Sequence, residues 1–587
     1  MRFCIPEFRG SRGVAFWMVV ALLAAIAFSP WAGHAGAAGA RQAINVPTKL
    51  IPTAPYSLPI LRLKVLAPPT SFVNSVLPNV GAAQNQLVPL SEIPFYDRNQ
   101  FTPPANLSGA FHGDDHLAAF ADTDTGQAAV YPNLGDQTPV SAQDVPAFLE
   151  QASALAQNAF ASNGLLPKDS THFLLSPALP LDGSVATPEN GASPTVAVLA
   201  YVPIARKVGR YPVEGPGSTA YMAFDAEGKV EGFMRNWKSA KTFTTVHEVR
   251  SKTRIAGLIA AQLASLKPLS ARVLNVKIAY YDGNQGYMQP VYRFRAEVRY
   301  ADGPLAADFE VGYVRIGRLR EPIPVLGTSV GAPPPDDQLN APRRAVSAGL
   351  ASDPCVGRYV VRNDSPSWVS SANGFYSGIS SWGGSGWFPN CQYYWGIQWQ
   401  YDPTSPRVNS MNIVDTEGHG DWWLFSTDRD CCDLINLDST TRYVGDYLVP
   451  YPGYGSAAGG NLDYWIIHSC EVVPAPDDTA SWANPWWNVF GGLHSVLGYR
   501  TIMYIADGAM NPYGVQLRLG APVVAAWLGT VISLSAYAGG PTGTMHGTVK
   551  HLGRPSTISM TSRINDSAYD TSAQSRAGSL TIFWYPG

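Results

Sequence analysis

Two apolar runs in the second half of this 587-residue sequence end in residue types that do nucleophilic chemistry. Val408 to Thr416 runs into Glu417-Gly418-His419-Gly420-Asp421, and Leu462 to Ile467 runs into His468-Ser469-Cys470-Glu471. Both runs read as buried strands, and in an open α/β sheet reactive groups collect just beyond the carboxyl ends of strands. His419 and Cys470 are 51 positions apart. That length suffices for a crossover between parallel neighbours, with the region Cys431 to Gly459 as an insertion. A cysteine becomes nucleophilic as a thiolate, which a nearby imidazole promotes. Gly420, lacking a side chain, lets its N–H approach a developing oxyanion closely, an interaction worth on the order of 3 kcal/mol. His468 points to the same face as Cys470 if the strand continues, and is a rival base or a hydrogen-bonded core histidine.

An apolar strand ending in His-Gly, followed some tens of residues later by one ending in a small residue and Cys, resembles the signature of caspase-like cysteine peptidases, the group that includes legumain and gingipain. Ser469-Cys470-Glu471 is similar to the Ala-Cys-Glu of legumain-type members, and Pro485 to Tyr499 is similar to the helix and strand that follow the nucleophile there. The likeness covers about 350 to 540. It implies Cys470 as nucleophile, His419 as general base or orienting imidazole, and the Gly420 and Cys470 N–H groups as the oxyanion hole. Val472-Val473-Pro474 departs from the family, whose members continue with Ser-Gly after the Glu. Asp415, Glu417 and Asp421 near His419 would suit a basic substrate residue. The chain as a whole resembles a family of secreted bacterial proteins with this C-terminal module.

Other residues with chemical potential have plainer readings. His112-Gly113-Asp114-Asp115-His116 carries metal-ligand types, but its loop-like flanks favour a polar surface loop over a metal site. Trp382, Trp387, Trp395, Trp399, Trp422 and Trp423 could line a sugar groove, while Trp422 and Trp423, just after the His-Gly pair, could instead wall the cleft or fill the core. No cofactor motif is present: there is no Walker loop, HExxH or GxSxG, and no CxxC pair of the structural-zinc kind.

The elements that must position His419 and Cys470 belong to a chain of several parts. Arg2, Arg9 and Arg12, an apolar run from Val14 to Phe28 that is short for a membrane span, and small residues from Ala35 to Ala40 mark 1–40 as a cleaved export signal, leaving no membrane span. Cys4 leaves with it. Of the remaining Cys355, Cys391, Cys431, Cys432 and Cys470, the adjacent pair is expected to bond to Cys355 and Cys391, leaving Cys470 free.

Residues 41–140 read as a loop-rich segment. Helical spacing from Val145 to Phe160, with Asp144 as cap, Pro146 in the first turn and Gly164 as stop, predicts a helix. A second helix is expected at Thr253 to Leu266. Period-two runs at Thr195–Ala205, Ser218–Asp225, Val230–Trp237, Arg272–Tyr280 and Val291–Tyr300, with a hairpin turn at Ala226 to Lys229, complete an α+β module over 141–320. It resembles the propeptide-like modules found ahead of secreted bacterial peptidases. A Pro-rich linker follows at 321–352, and 353–587 forms the caspase-like α/β domain with a mostly parallel sheet. Eleven of the sixteen tryptophans fall in that half between Trp368 and Trp487.

Charged residues are 14% of the chain and the formal net charge is −3, which argues against nucleic-acid or anionic-membrane partners. The sequence therefore reads as a secreted or periplasmic cysteine endopeptidase acting on a peptide or protein substrate, made as a zymogen. The competing reading is an inactive extracellular binding protein for a glycan or protein ligand.

Overall fold

A computed structural model describes residues 43–586 apart from 99–101, 114–115, 168, 170, 301–306, 319, 328–353, 362–365, 381–387, 428–433, 440–445, 506–509 and 536–552. The expected signal, Asp114, Asp115, Trp382, Trp387, Cys431, Cys432 and most of the expected linker lie outside the described residues.

The first predicted helix forms over Val145–Ser162 and buries Phe148, Ala152, Ala156 and Phe160, the stripe that its spacing dictates. Gly164 follows it at φ +62°. Asp144 itself is helical in backbone, and its carboxylate accepts from Ser141 rather than capping the first turn. The second helix, Lys252–Ser265, is capped by the Ser251 hydroxyl, which accepts from the Arg254 N–H. Strands Ala220–Phe224 and Val230–Arg235 pair antiparallel about the expected turn, with Gly228 at φ +79°.

The segment 41–140, expected to be loop-rich, supplies strands Pro59–Lys64, Leu107–His112, His116–Asp122 and Ala128–Val130. Its alanines and glycines misled the reading. Gly109, Ala110, Ala118, Ala119 and Ala121 suit strands packed closely on both faces, where larger side chains do not fit.

The expected fold class, an α+β module followed by a caspase-like α/β domain with a mostly parallel sheet, is corrected by the topology. Strand outweighs helix, 36% to 23%, in one large mixed sheet. Five strands do run parallel, in the spatial order Asn390–Gly396, Val356–Val361, Ile413–Glu417, Tyr464–His468, Ser495–Tyr499. Pro555–Met560 and Leu580–Trp584 then continue antiparallel, and Leu580–Trp584 pairs with Leu179–Thr187 of the first half. From there the sheet proceeds through Val196–Val208 and the Ala220–Arg235 hairpin. Ile44–Gly587 is accordingly one unit.

The physical reason is that Pro555–Met560 and Leu580–Trp584 are buried at every position. Such strands need covered faces and a neighbour on each edge, and a continuous apolar run reads the same whether its neighbours are parallel or not. Beside this sheet, Ser270–Asp282, Tyr287–Arg299 and Ala307–Arg315 form an antiparallel set. It packs the Lys252–Ser265 helix over Ile255, Ile259, Leu263, Val276, Ile278 and Phe294.

Helices Pro366–Ser380, Met510–Arg518 and Val523–Ser535 cover one face of the parallel strands, through Trp368, Phe375, Tyr513, Leu517 and Trp527. The other face carries Trp423, Trp465, Trp482, Trp486 and Trp584 in a second core. Among the described residues, of the tryptophans considered for a groove Trp423 is buried in this core, while Trp395 and Trp422 are half-buried. Trp399, which is 43% exposed, lies under the Arg407 guanidinium at 5.5 Å.

Candidate functional site

The two strands that lead into His419 and Cys470, Ile413–Glu417 and Tyr464–His468, are direct parallel neighbours. Thr416 faces Ile467 and Glu417 faces His468, the same 51-residue offset that separates His419 from Cys470. Gly418 N–H donates to the His468 carbonyl, so the two chains stay together past the last paired residues. Among the described residues no α-helix forms the crossover between them. The chain after His419 instead builds a four-stranded sheet from Gly420–Asp421, Leu424–Ser426, Leu434–Asn436 and Tyr447–Leu448.

Gly420 packs against the second strand's end. A Cβ there would collide with the Ser469 hydroxyl and the Cys470 carbonyl. Glycine at 420 therefore has a packing reason that is independent of any oxyanion.

His419 is buried, and its Nε2 lies 3.1 Å from Oδ1 of Asp308. Asp308 comes from strand Ala307–Arg315 of the first half and also accepts from the Trp368 indole at 3.4 Å. The Trp368 ring stands edge-on to the His419 ring. This carboxylate was not singled out by sequence. In Asp308-Phe309-Glu310-Val311 the alternation of acid and apolar residues reads as one wet face and one dry face, yet Asp308 and Glu310 are both buried.

Cys470 is half-buried and is the free cysteine among the described residues. Met503 N–H points at its sulfur from 3.4 Å. Burial pushes the thiol up to about 12, and the negative charges of Glu471, Asp308 and Asp421 add to that shift, against the Met503 hydrogen bond. At neutral pH this thiol is protonated. Glu471 next to it and Trp423 both hold a left-handed backbone at φ +55°, a conformation that costs non-glycine residues on the order of 1–3 kcal/mol and tends to cluster at functional sites.

Beneath lies a second polar group. Nδ1 of His468 is 2.6 Å from Oε2 of Glu417 and 3.2 Å from the Ser371 hydroxyl, with both His468 and Glu417 fully buried. Burial pushes the imidazole down to about 4. Asp415, two residues before Glu417 on the same face, is held well above the usual carboxylate range, first by burial and then by Glu417. Asp415 and Glu417 therefore sit under the helices and do not wall a pocket for a basic substrate residue; Asp421 remains half-buried near Cys470.

Cys355 bonds to Cys391, not to Cys431 or Cys432. The bond ties the starts of the neighbouring strands Val356–Val361 and Asn390–Gly396. Pairing within this adjacent strand couple follows from their register, which the sequence spacing did not reveal. His112 and His116 face each other across a hairpin with their rings 4.7 Å apart, and burial and His112 push His116 down to about 3. Among the described residues no group of three or more His, Cys, Asp or Glu is placed to hold a metal ion, and no helix is long and apolar enough to cross a membrane.

Comparison with known proteins adds a domain and two distant likenesses. Residues 364–571, which include His419 and Cys470, match a family described as a domain of unknown function (DUF6345). No curated protein matches the chain. Among solved structures, an uncharacterized protein from Eubacterium rectale ATCC 33656 is similar at 8% identity and a TM-score of 0.23, over 45% of this chain and 85% of its own. The Bacillus megaterium YpeB C-terminal domain is similar at 12% identity and a TM-score of 0.17, over 36% of this chain and 78% of its own. At those scores neither likeness bears on function.

Proposed function

We propose that the chain is a cysteine endopeptidase in a latent form, with Cys470 as nucleophile and His419 as its imidazole. The observation that carries this reading is the parallel adjacency of the two strands at a 51-residue offset, which sends both chains past their carboxyl ends side by side. In the proposed reaction the Cys470 sulfur attacks a peptide carbonyl. The thiol proton passes through His419 to the leaving amine as the C–N bond breaks. Water then hydrolyses the thioester, releasing the acid and restoring the thiol.

An exported location belongs to the same proposal. Its support is the basic, apolar and small-residue pattern of 1–40 together with the Cys355–Cys391 bond, which suits an oxidising compartment. The test is labelling of the full chain with iodoacetamide or an acyloxymethyl ketone, with and without Cys470→Ala, followed by peptide mapping. Labelling at Cys470 that the substitution abolishes supports the reading; a peptide map identical in both proteins sinks it.

One observation favours the second reading, a non-catalytic binding protein: the Cys470 thiol is pushed away from ionisation, not towards it. A Cys470 that stays unlabelled by both reagents in the folded chain, and reacts only in denaturant, would favour that reading.

A further inference from the structure

Strand Ala307–Arg315 belongs by register to the antiparallel set of the first half, where it pairs with Tyr287–Arg299 along its whole length. Its other edge is also used. Ile505 N–H donates to the Phe309 carbonyl at 3.1 Å, and Val311 N–H donates to the Ile505 carbonyl at 3.4 Å. These two bonds make a single parallel bridge between Glu310 and Ile505, on the segment 503–505 that follows the Ser495–Tyr499 strand and whose Met503 touches the Cys470 sulfur.

Two aromatic contacts fix the bridged strand. Phe309 meets the Tyr504 ring edge-on at 5.3 Å, and Arg295 of the neighbouring strand both stacks on Tyr504 at 4.4 Å and donates to its hydroxyl at 2.7 Å. With the strand so placed, Asp308 reaches His419 and Trp368.

We propose that residues 307–311 act as a built-in competitor for the Cys470 site, occupying the track that an extended peptide substrate would take along 503–505. The inference rests on the cysteine endopeptidase reading and deepens it. A peptide laid beside Cys470 by strand addition needs the N–H and C=O of Ile505, and Phe309 and Val311 already use both. It would also need the His419 imidazole, which the Asp308 carboxylate engages. The groups facing the thiol are Glu471 from its own chain, Asp421 beyond His419, Asp308 from the bridged strand, and the Tyr499 phenol from the adjacent strand. Of the three carboxylates, Asp308 is the one that leaves if the first half moves away.

The test uses the full chain and follows iodoacetamide labelling of the Cys470 peptide by mass spectrometry from neutral to alkaline pH. Asp308→Asn should move the labelling profile to lower pH and raise the neutral-pH rate. Asp308→Glu should keep the wild-type profile. Phe309→Ala, which loosens the strand from Tyr504 without touching the charge, should raise the rate at all pH values. Thermal melting confirms that each variant is folded.

Folded Asp308→Asn and Phe309→Ala proteins that label at the wild-type rate overturn the competitor and leave the endopeptidase reading standing. Wild-type labelling as fast as a free thiol does the same. A Cys470 that labels in no folded variant overturns both.

Discussion

Glu417 and His468 face one another across the two central parallel strands, their Oε2 and Nδ1 atoms 2.6 Å apart and neither side chain open to water. The pair is the floor beneath His419 and Cys470, so its integrity and that of the site are separable by mutation.

Removing His468 takes one buried hydrogen-bond partner from Glu417. With the imidazole neutral, His468→Ala breaks a buried hydrogen bond rather than an ion pair and is expected to cost about 1–3 kcal/mol of stability, measured by urea denaturation. The imidazole is pushed down to about 4 from an ordinary value of 6.5, so its neutral form is favoured in the folded state. Its contribution is complete above pH 6.5 and is lost as pH falls towards 4. The wild type should therefore lose stability across that interval, and His468→Ala should show a flatter acid limb.

Asp415 behaves oppositely. Its carboxyl is held well above the usual carboxylate range, so the folded state keeps a proton that the unfolded chain gives up near pH 4. Its contribution is complete below that pH and declines as pH rises. Asp415→Asn, neutral at every pH, is expected to be at least as stable as wild type at pH 7, and less sensitive to pH. Loss of more than about 2 kcal/mol at pH 7, of the size a broken buried hydrogen bond would give, would contradict a neutral Asp415.

The Cys355–Cys391 bond closes a 36-residue separation. Replacing both cysteines by alanine should lower stability by about 2–4 kcal/mol. A reducing agent should lower the wild-type melting temperature towards that of the double variant and leave the variant unmoved.

A fragment beginning near residue 353 would carry His419 and Cys470 but not Leu179–Thr187. The edge of Leu580–Trp584, buried at every position, would then lie open. Such a fragment should aggregate or fail to fold, whereas co-expression with the first half should recover soluble material. A well-folded monomeric fragment would show that the shared sheet is dispensable. Latency of the Cys470 site is therefore tested by point substitution in the whole chain, not by truncation.

What could be read from the sequence follows the range of the forces involved. Val145–Ser162 was legible because Phe148, Ala152, Ala156 and Phe160 repeat within one element. The strands leading into His419 and Cys470 were legible as apolar runs, although the first begins at Ile413 and not at Val408, where a short 3-10 helix forms instead. The neighbours of Leu580–Trp584 were not legible, since being buried on both faces says nothing about which strand lies alongside. Asp308 was hidden more deeply. Its meaning comes from His419, over a hundred residues away, and its local pattern pointed to water. The acids Asp415 and Glu417 misled the reading for a related reason: proximity to His419 in sequence suggested a substrate pocket, while strand alternation turned them under the helices.

Leu580–Trp584 joins Leu179–Thr187 across about 400 intervening residues, a contact order far above that of local pairings. At synthesis rates of about 5–20 residues per second, the edge of Leu179–Thr187 waits roughly 20–80 seconds for its neighbour. Throughout that wait it presents an unpaired ladder that can join another chain. The sheet that unites the two halves thus cannot close until Leu580–Trp584 has been made.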